Sequence, residues 1–253
     1  MKDDETSPTM GEGFDIDGSF GRTELLIGSD AMGRISAKRV ILFGVGGVGS
    51  WCAEALIRSG FRHLTMVDFD RVNQSNINRQ LPATQATVGQ PKVEVMRRRL
   101  LEINPEAEIE VRETMYTDET ADTFRLEEYD YVIDAIDSVA DKALLICRAC
   151  DAATAGTRLF SSMGAALKTD PARVAVAEFW KVRGCRLAAA LRHRFKRSGQ
   201  FPCHRFKCVY SDELVPNRMQ QPASRKPVNG TLMHITAIFG LTLASLVISD
   251  SIR

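Results

Sequence analysis

The stretch Arg39-Val-Ile-Leu-Phe43-Gly44-Val-Gly46-Gly47-Val-Gly49-Ser50 decides the fold. It begins with a short uninterrupted apolar run, which is typical of a strand buried on both faces of a parallel sheet. Glycines follow at the spacing G-x-G-x-x-G, and the residues from Ser50 to Ser59 have helical spacing. A strand, a glycine turn and a helix in this order predict the first unit of a doubly wound α/β fold.

Apolar runs and helical patterns alternate on both sides of this stretch. Short helices are predicted between Phe20 and Ile35. After it, the pattern predicts strands at 64–68, near 109–111, at 131–134 and near 159–160, with helices at about 92–102 and 140–153 between them. We therefore predict a Rossmann-like, doubly wound, mostly parallel sheet. After about Pro171 the pattern becomes irregular and basic, and an apolar helix closes the chain at about 231–248.

The composition excludes disordered and fibrous proteins, because 253 residues with 44% hydrophobic and 26% charged residues can bury a core. Six Cys without a secretory leader near Met1 predict reduced thiols and a cytoplasmic protein. The net charge of +1 hides a separation of charge, since residues 181–207, the basic segment, contain nine Lys and Arg and no Asp or Glu. A polyanionic partner is therefore predicted for this segment.

The glycine turn is the first candidate site, because backbone amides at a helix N-terminus bind phosphate. Asp68 ends the next predicted strand, 24 positions after Gly44, where an acidic residue accepts hydrogen bonds from a ribose. The glycines alone do not distinguish NAD from ATP. Arg79 and Lys92 supply cations that a triphosphate needs more than a dinucleotide does, so ATP is favoured.

Five motifs in register carry a resemblance to a known family. They are Gly-Val-Gly-Gly-Val-Gly-Ser at 44–50, Val-Asp-Phe-Asp at 67–70, Ser-Asn-Ile-Asn-Arg-Gln at 75–80, Val-Gly-Gln-Pro-Lys at 88–92 and Ile-Asp-Ala-Ile-Asp-Ser at 133–138. From Phe20 to Ser162 the chain resembles the ubiquitin-activating-enzyme-like adenylating superfamily of the ThiF, MoeB and HesA type. With 162–165, the basic segment and 209–213, it is most similar to the tRNA threonylcarbamoyladenosine dehydratase branch.

The resemblance implies a reaction and its site residues. The threonyl carboxylate of threonylcarbamoyladenosine at position 37 of tRNA would be adenylated and then cyclised, with release of AMP and pyrophosphate. The implied ATP-binding residues are Gly44, Gly46, Gly47, Gly49, Asp68, Asp70, Ser75, Asn76, Arg79, Gln80, Lys92, Asp137 and Ser138. The implied catalytic residues are Arg22, Arg79, Lys92 and Asp137, with Asp137 binding Mg²⁺ and Arg22 reaching the ATP of a partner subunit. No catalytic base is assigned, because intramolecular attack gains from proximity.

With this resemblance the chain is predicted to have three parts. Residues 1–18 form a disordered acidic tail, because they carry too few apolar residues to offset the entropy of ordering. Residues 19–170 form an ATP-binding adenylation domain. Residues 171–253 form a C-terminal extension that packs on the same domain and carries the basic segment and the apolar helix.

The basic segment is predicted to bind RNA rather than to form a solvated helix face, because it has no acidic residues for i,i+4 pairs. Phe195, Phe201 or Phe206 could stack on an unpaired loop base. The residues predicted to contact RNA phosphates are Arg192, Arg194, Lys196, Arg197, Arg205 and Lys207.

The cysteines depart from the pattern of sulfur-carrier-activating relatives, which hold zinc in two Cys-x-x-Cys pairs. Cys147 and Cys150 are the one such pair and fall on a predicted helix, while Cys203 and Cys208 lie elsewhere. No structural zinc is expected, although a site built from these four sulfurs stays open as an alternative. No motif singles out a catalytic cysteine.

Three other functions stay open on the sequence: an adenylyltransferase for the C-terminus of a ubiquitin-like sulfur carrier, a dinucleotide-dependent oxidoreductase or redox sensor, and a nucleotide-binding scaffold without catalysis. A homodimer is expected. A cysteine desulfurase with its sulfur acceptor is an open further partner. Membrane contact is open but not expected, because the apolar run at 235–248 has 14 residues and a spanning helix needs about 20.

Overall fold

A seven-stranded sheet forms the centre of the computed structural model, which describes residues 15–220 and 228–253. The strands are β1 (Arg39–Phe43), β2 (His63–Val67), β3 (Glu108–Arg112), β4 (Tyr131–Asp134), β5 (Arg158–Ser162), β6 (Val174–Glu178) and β7 (Lys207–Ser211). Their order is β3-β2-β1-β4-β5-β7-β6, and in this described sheet β6 alone runs antiparallel to its neighbour. The predicted mostly parallel, doubly wound sheet is confirmed.

Helices cover both faces of the sheet. They are α1 (Gly21–Ile27), α2 (Ser29–Ala37), α3 (Gly49–Arg58), α4 (Lys92–Ile103), α5 (Val139–Ala152), α6 (Arg186–Ser198) and α7 (Met233–Ser251). The helices α3, α4 and α7 pack in one core, and α5 and α6 pack in the other. Because successive strand residues point to opposite faces, Val40 and Leu42 enter the first core while Ile41 and Phe43 enter the second.

The helices and strands predicted up to residue 162 lie within a few residues of the observed bounds. Residues 1–14, most of the predicted acidic tail, lie outside the described part of the chain. The basic extension, for which no strands were predicted, supplies β6 and β7 at one edge of the sheet. The sequence of β6 is not typical of a strand, because β6 lies at the edge of the sheet and all of its side chains are at least partly exposed. Its residues therefore do not alternate between buried apolar and exposed polar side chains.

The predicted closing helix is confirmed as α7, which packs on α3. The close approach depends on Gly240, because a Cβ there would lie 2.3 Å from the carbonyl oxygen of Val48 and 2.8 Å from Cβ of Trp51. Among the described residues, α7 is the one helix that could cross a membrane by length and composition, with 19 residues and a mean hydropathy of 1.5. A core helix passes the same test, and α7 contributes Phe239, Leu243 and Val247 to the core.

Candidate active site

A cavity of about 790 Å³ opens at the carboxyl ends of β1 to β5. Gly44, Asp68, Thr114, Asp137 and Ser162, each from the segment that follows one of these strands or from its last residue, line this cavity. The sheet reverses its strand order between β1 and β4, which are neighbours. Open α/β sheets bind ligands at such a switch point, because the loops on the two sides diverge and leave a crevice.

The glycine turn between β1 and α3 forms the floor of one side of the cavity. Gly44 has φ +89°, a conformation that favours glycine. A Cβ at Gly49 would lie 1.8 Å from the carbonyl oxygen of Gly44, so this glycine is needed for the turn itself. Gly46 and Gly47 line the cavity, whereas Gly49 does not. The turn therefore presents bare backbone at Gly46 and Gly47.

Asp68 is held against this turn by two backbone amides. Its Oδ2 accepts from the N–H of Val45 at 2.7 Å, and its Oδ1 accepts from the N–H of Asp70 at 2.8 Å. Burial raises the pKa of the Asp68 carboxyl, although Lys92 and the two amides oppose the shift. The carboxylate is thus fixed at the cavity wall, where it can accept hydrogen bonds from sugar hydroxyls.

Lys92, the first residue of α4, is a buried cation at the cavity wall. Its Nζ lies 2.7 Å from Oδ2 of Asp70, whose side chain is 49% exposed. An ammonium group has three donors, so one carboxylate partner leaves capacity for a second anion. Arg79 also lines the cavity and is held in place, because it donates to the carbonyl oxygen of Ser75 and to Oδ1 of Asn78, both at 2.8 Å.

Gln80 is a buried amide in the cavity lining, and its Oε1 has no hydrogen-bond partner in the part of the chain that the structure describes. A buried acceptor without a partner costs free energy, so such a group in a cavity indicates a ligand or a solvent donor. Asn76, from the same motif, lines the cavity as well.

Asp137 and Ser138 lie in the turn between β4 and α5, and Asp141 follows in the first turn of α5. The side chain of Asp137 is exposed to the cavity mouth. No group of three or more His, Cys, Asp or Glu that could hold a metal ion occurs in residues 15–220 and 228–253. Magnesium bound together with a nucleotide is coordinated by one or two protein carboxylates, with phosphates and waters as its other ligands. Asp137 and Asp141 could supply these carboxylates, so the lining fits such an ion without a cluster of three protein ligands.

Two further predicted residues lie outside the cavity lining. The Ser75 hydroxyl donates to Oδ1 of Asn73 at 2.9 Å, so this side chain shapes the loop rather than the cavity wall. Arg22 is exposed on α1 and does not line the cavity of its own chain.

Residues that the sequence reasoning did not assign line the rest of the cavity. Phe69 and Met115 are exposed apolar side chains on the Asp68 side, next to Tyr116. The lining also includes Ser162, Met163, Gly164, Ala165, Ala166, Leu187, Asn229, Thr231 and Thr236. Residues 114–116 could have been assigned to the site from the sequence. They follow the parallel strand predicted near 109–111 and therefore lie at the same edge of the sheet as Gly44.

The basic segment meets the cavity at α6, whose residue Leu187 is part of the lining. Phe195 and Phe206 could not be stacking residues in this structure, because both are buried in the core around Phe179. Phe201 is 51% exposed, and its ring also packs against Trp180 with the centroids 6.2 Å apart. The buried pair was mistaken for exposed residues because their basic neighbours conceal the apolar face of α6.

One of the six predicted RNA contacts is engaged within the protein. Arg192 donates to the carbonyl oxygen of Val182 at 3.2 Å and lies over the ring of Phe179. No ion pair within the described part of the chain involves the other five, which are Arg194, Lys196, Arg197, Arg205 and Lys207. These five side chains therefore have no carboxylate within ion-pair distance in the described part of the chain.

The cysteines of the Cys-x-x-Cys pair lie on α5, as predicted. Burial raises the pKa of Cys147 to about 11 and the pKa of Cys150 to about 12. Cys208, on β7, is buried in the core as well, and burial again raises its pKa. Thiols of this kind are poor nucleophiles at neutral pH.

Comparison with known proteins identifies the family of the chain. The model of the ThiF family matches residues 20–249. The chain is 43% identical over 182 residues to the tRNA threonylcarbamoyladenosine dehydratase of Bacillus subtilis, covering 71% of this chain and 70% of the relative. The crystal structure of the E. coli tRNA N6-threonylcarbamoyladenosine dehydratase TcdA in complex with ATP superposes with a TM-score of 0.81 at 34% identity, covering 92% of this chain and 93% of that chain.

The same E. coli protein in complex with AMP superposes with a TM-score of 0.82 at 32% identity, covering 97% of each chain. The superfamily resemblance carried by the five motifs is confirmed. A family match over almost the whole chain, together with a glycine turn at the switch point of the sheet, leads to one conclusion: this chain belongs to the ThiF family.

Proposed function

We propose that the protein is an ATP-dependent tRNA threonylcarbamoyladenosine dehydratase, a ligase-type enzyme that adenylates the threonyl carboxylate of the nucleoside at position 37 and cyclises it. The observation that carries the proposal is the cavity, where the glycine turn, Asp68, two cations and Asp137 converge. The similarity to dehydratases over most of the chain supports this choice within the family.

The cavity lining divides into regions that suit the parts of ATP. Phe69 and Met115 offer apolar walls for the base beside Asp68, which would accept hydrogen bonds from the ribose. Gly46 and Gly47 present backbone to the phosphates. Lys92 would bind the β- and γ-phosphates, with Arg79 beside it. Asn76, Gln80 and Ser138 complete the polar lining.

Asp137 would hold the Mg²⁺ that accompanies ATP, with Asp141 nearby in the lining. When bound, magnesium supplies positive charge that stabilises the departing pyrophosphate. The protein itself keeps Lys92 and Arg79 at fixed positions for the same purpose, since both already have partners that orient them.

The reaction has two steps. An oxygen of the threonyl carboxylate attacks the α-phosphorus of ATP, which forms an acyl adenylate and expels pyrophosphate. A nucleophile within the same nucleoside then attacks the activated carbonyl, the bond to AMP breaks, and the product is one water lighter than the substrate. Because the second step is intramolecular, positioning supplies most of the acceleration and no side chain has to act as a base.

The basic segment would bring the tRNA to this cavity. The helix α6 has 13 residues, about 20 Å in length, and begins beside the cavity at Leu187. Arg194, Lys196 and Arg197 follow along it, so a backbone bound there would lead a loop nucleoside to the cavity mouth. Phe201, which is half exposed beside Trp180, would offer its exposed part for stacking on a base.

We further propose a cytoplasmic homodimer. The helix α1 carries Arg22 together with Leu25 and Leu26, which are 57% and 84% exposed. Exposed leucines on one helix favour a protein interface, and a second copy seated there would bring Arg22 towards the partner's cavity. The sulfur-carrier alternative is less favoured, because the relatives that match most of this chain are named as dehydratases.

To test this proposal, the protein is incubated with Mg²⁺, ATP and tRNA that carries threonylcarbamoyladenosine. The tRNA is then digested under mild conditions, and the masses of the nucleosides are determined. We expect the modified nucleoside to lose one water only when hydrolysable ATP is present. A reaction with an ATP analogue that cannot be cleaved between the α- and β-phosphates is the matched control. An unchanged nucleoside, with intact tRNA and bound ATP, would refute the proposal, and formation of a carrier adenylate with a ubiquitin-like protein would replace it.

A further inference from the structure

A fully buried ion pair lies beneath the turn that carries Asp137. Asp134, the last residue of β4, and Lys142, in the second turn of α5, are both 0% exposed. The Nζ of Lys142 lies 2.7 Å from Oδ2 of Asp134. Ser161, on the neighbouring strand β5, donates its hydroxyl to the same oxygen at 2.6 Å. None of these three residues lines the cavity.

The pair binds both backbone groups of a single residue, Ile136. Oδ1 of Asp134 accepts from the N–H of Ile136 at 3.1 Å, and Nζ of Lys142 donates to the carbonyl oxygen of Ile136 at 3.0 Å. Ile136 directly precedes Asp137, whose own side chain is exposed. The peptide that leads into Asp137 is therefore clamped by two charged side chains that never reach the solvent.

Stability alone does not account for this arrangement. Two charges in a core lose their hydration, and apolar residues of similar volume often serve a fold as well or better. The pair makes directed bonds that apolar residues cannot make, and these bonds fix the path of the turn. Ligand groups in a site are commonly oriented by an outer layer of hydrogen-bonded residues in this way.

We propose that Lys142 is a positioning residue which, with Asp134 and through the backbone of Ile136, sets the location of the Asp137 carboxylate for binding of magnesium ATP. The inference rests on the proposed ATP site and does not depend on the identity of the acceptor substrate.

The test measures binding of a non-hydrolysable ATP analogue by calorimetry, with Mg²⁺ and with the metal chelated. The variant is Lys142→Met in combination with Asp134→Asn, which removes both charges together. Asn at 134 keeps an oxygen for the N–H of Ile136, while Met at 142 removes the bond to its carbonyl oxygen. The single Lys142→Met variant leaves a buried carboxylate without its cation, so the double variant provides the test when the single variant does not fold.

We expect the gain in affinity caused by Mg²⁺ to fall by about 10- to 100-fold in the double variant, as is usual for changes to groups that orient a metal ligand. Affinity without the metal should stay at the wild-type value, because the glycine turn and Lys92 are untouched. Lys168→Met is the matched control, since Lys168 is also buried and donates to the carbonyl oxygens of Ser211 and Glu213. It should lower thermal stability without changing the effect of Mg²⁺.

An equal effect of Mg²⁺ in the wild type and the double variant, including no effect in either, would overturn the inference. Equal losses with and without the metal would also overturn it, because they indicate general damage to the cavity. The proposed function is tested separately, with the wild-type protein. If the double variant loses the Mg²⁺ effect but the wild type leaves the threonylcarbamoyladenosine of the tRNA unchanged, the positioning role is retained and the tRNA substrate is rejected.

Discussion

Replacing Lys92 by Met is expected to weaken ATP binding while leaving AMP binding unchanged. Met retains the apolar stem that α4 buries at this position and removes the ammonium group from the cavity wall. The β- and γ-phosphates of ATP then lose a charged donor. AMP has neither phosphate, so its contacts with the glycine turn and Asp68 persist.

The size of the effect follows from the surroundings of Lys92. A hydrogen bond to a charged group is worth about 1.5–3 kcal/mol, which corresponds to about a 10- to 150-fold loss of ATP affinity. The effect on folding should be smaller. The partner Asp70 is 49% exposed and stays hydrated without Lys92, so the lost ion pair is worth at most about 1 kcal/mol. For a chain of this size that is a shift of about 2–4 °C in Tm.

Calorimetric titration of ATP and AMP into the wild type and the variant provides the comparison. Arg98→Met, an exposed change on the same helix, is the control for loss of a positive charge and should leave both affinities unaltered. Equal losses for ATP and AMP would refute the reasoning, because Lys92 would then act on the α-phosphate or on the cavity as a whole. Unchanged ATP affinity would remove Lys92 from the site.

Three further outcomes are expected. Asp137→Ala should abolish ATP-dependent pyrophosphate release at an unchanged Tm, because the side chain is exposed; normal turnover would contradict the assignment. Replacing Arg194 and Arg197 by Glu should weaken tRNA binding and lower its salt slope by about two with ATP affinity preserved; an unaltered slope in a binding assay would move the RNA surface elsewhere. The backbone amide of Asp170 leads the contacts that lower the pKa of Glu213 from 4.5 to about 2. The stability lost in Glu213→Gln should therefore be constant above about pH 5 and shrink towards pH 2, and a pH-independent difference in urea unfolding would argue against this.

The fold and the glycine turn of the candidate site could be predicted because their signals are local. The glycine turn requires particular backbone conformations within a few residues, and the apolar run before it reports its own burial. Parallel strands place their carboxyl ends at one edge, so the positions of Gly44, Asp68 and Asp137 directly after three neighbouring central strands imply a shared site. The structure brings all three residues to one cavity.

Other features depend on residues far apart in the chain, and no local pattern reports them. Phe206 is buried because it stacks on Phe179, with ring centroids 5.1 Å apart, although its sequence neighbours are basic. Arg192 is engaged because the chain at Val182 returns to it. The edge strand β6 pairs with β7 across the whole basic segment.

The sequence by itself determined the α/β class, the glycine turn and the family, because each depends on short spacings between residues. Only the tertiary structure decided which cations are free, which aromatic rings are exposed and what holds Asp137. The pair of Asp134 and Lys142 shows the physical reason. In the sequence they are a carboxylate and an amine eight positions apart, and packing on every side is what turns them into a buried clamp on the backbone of the site.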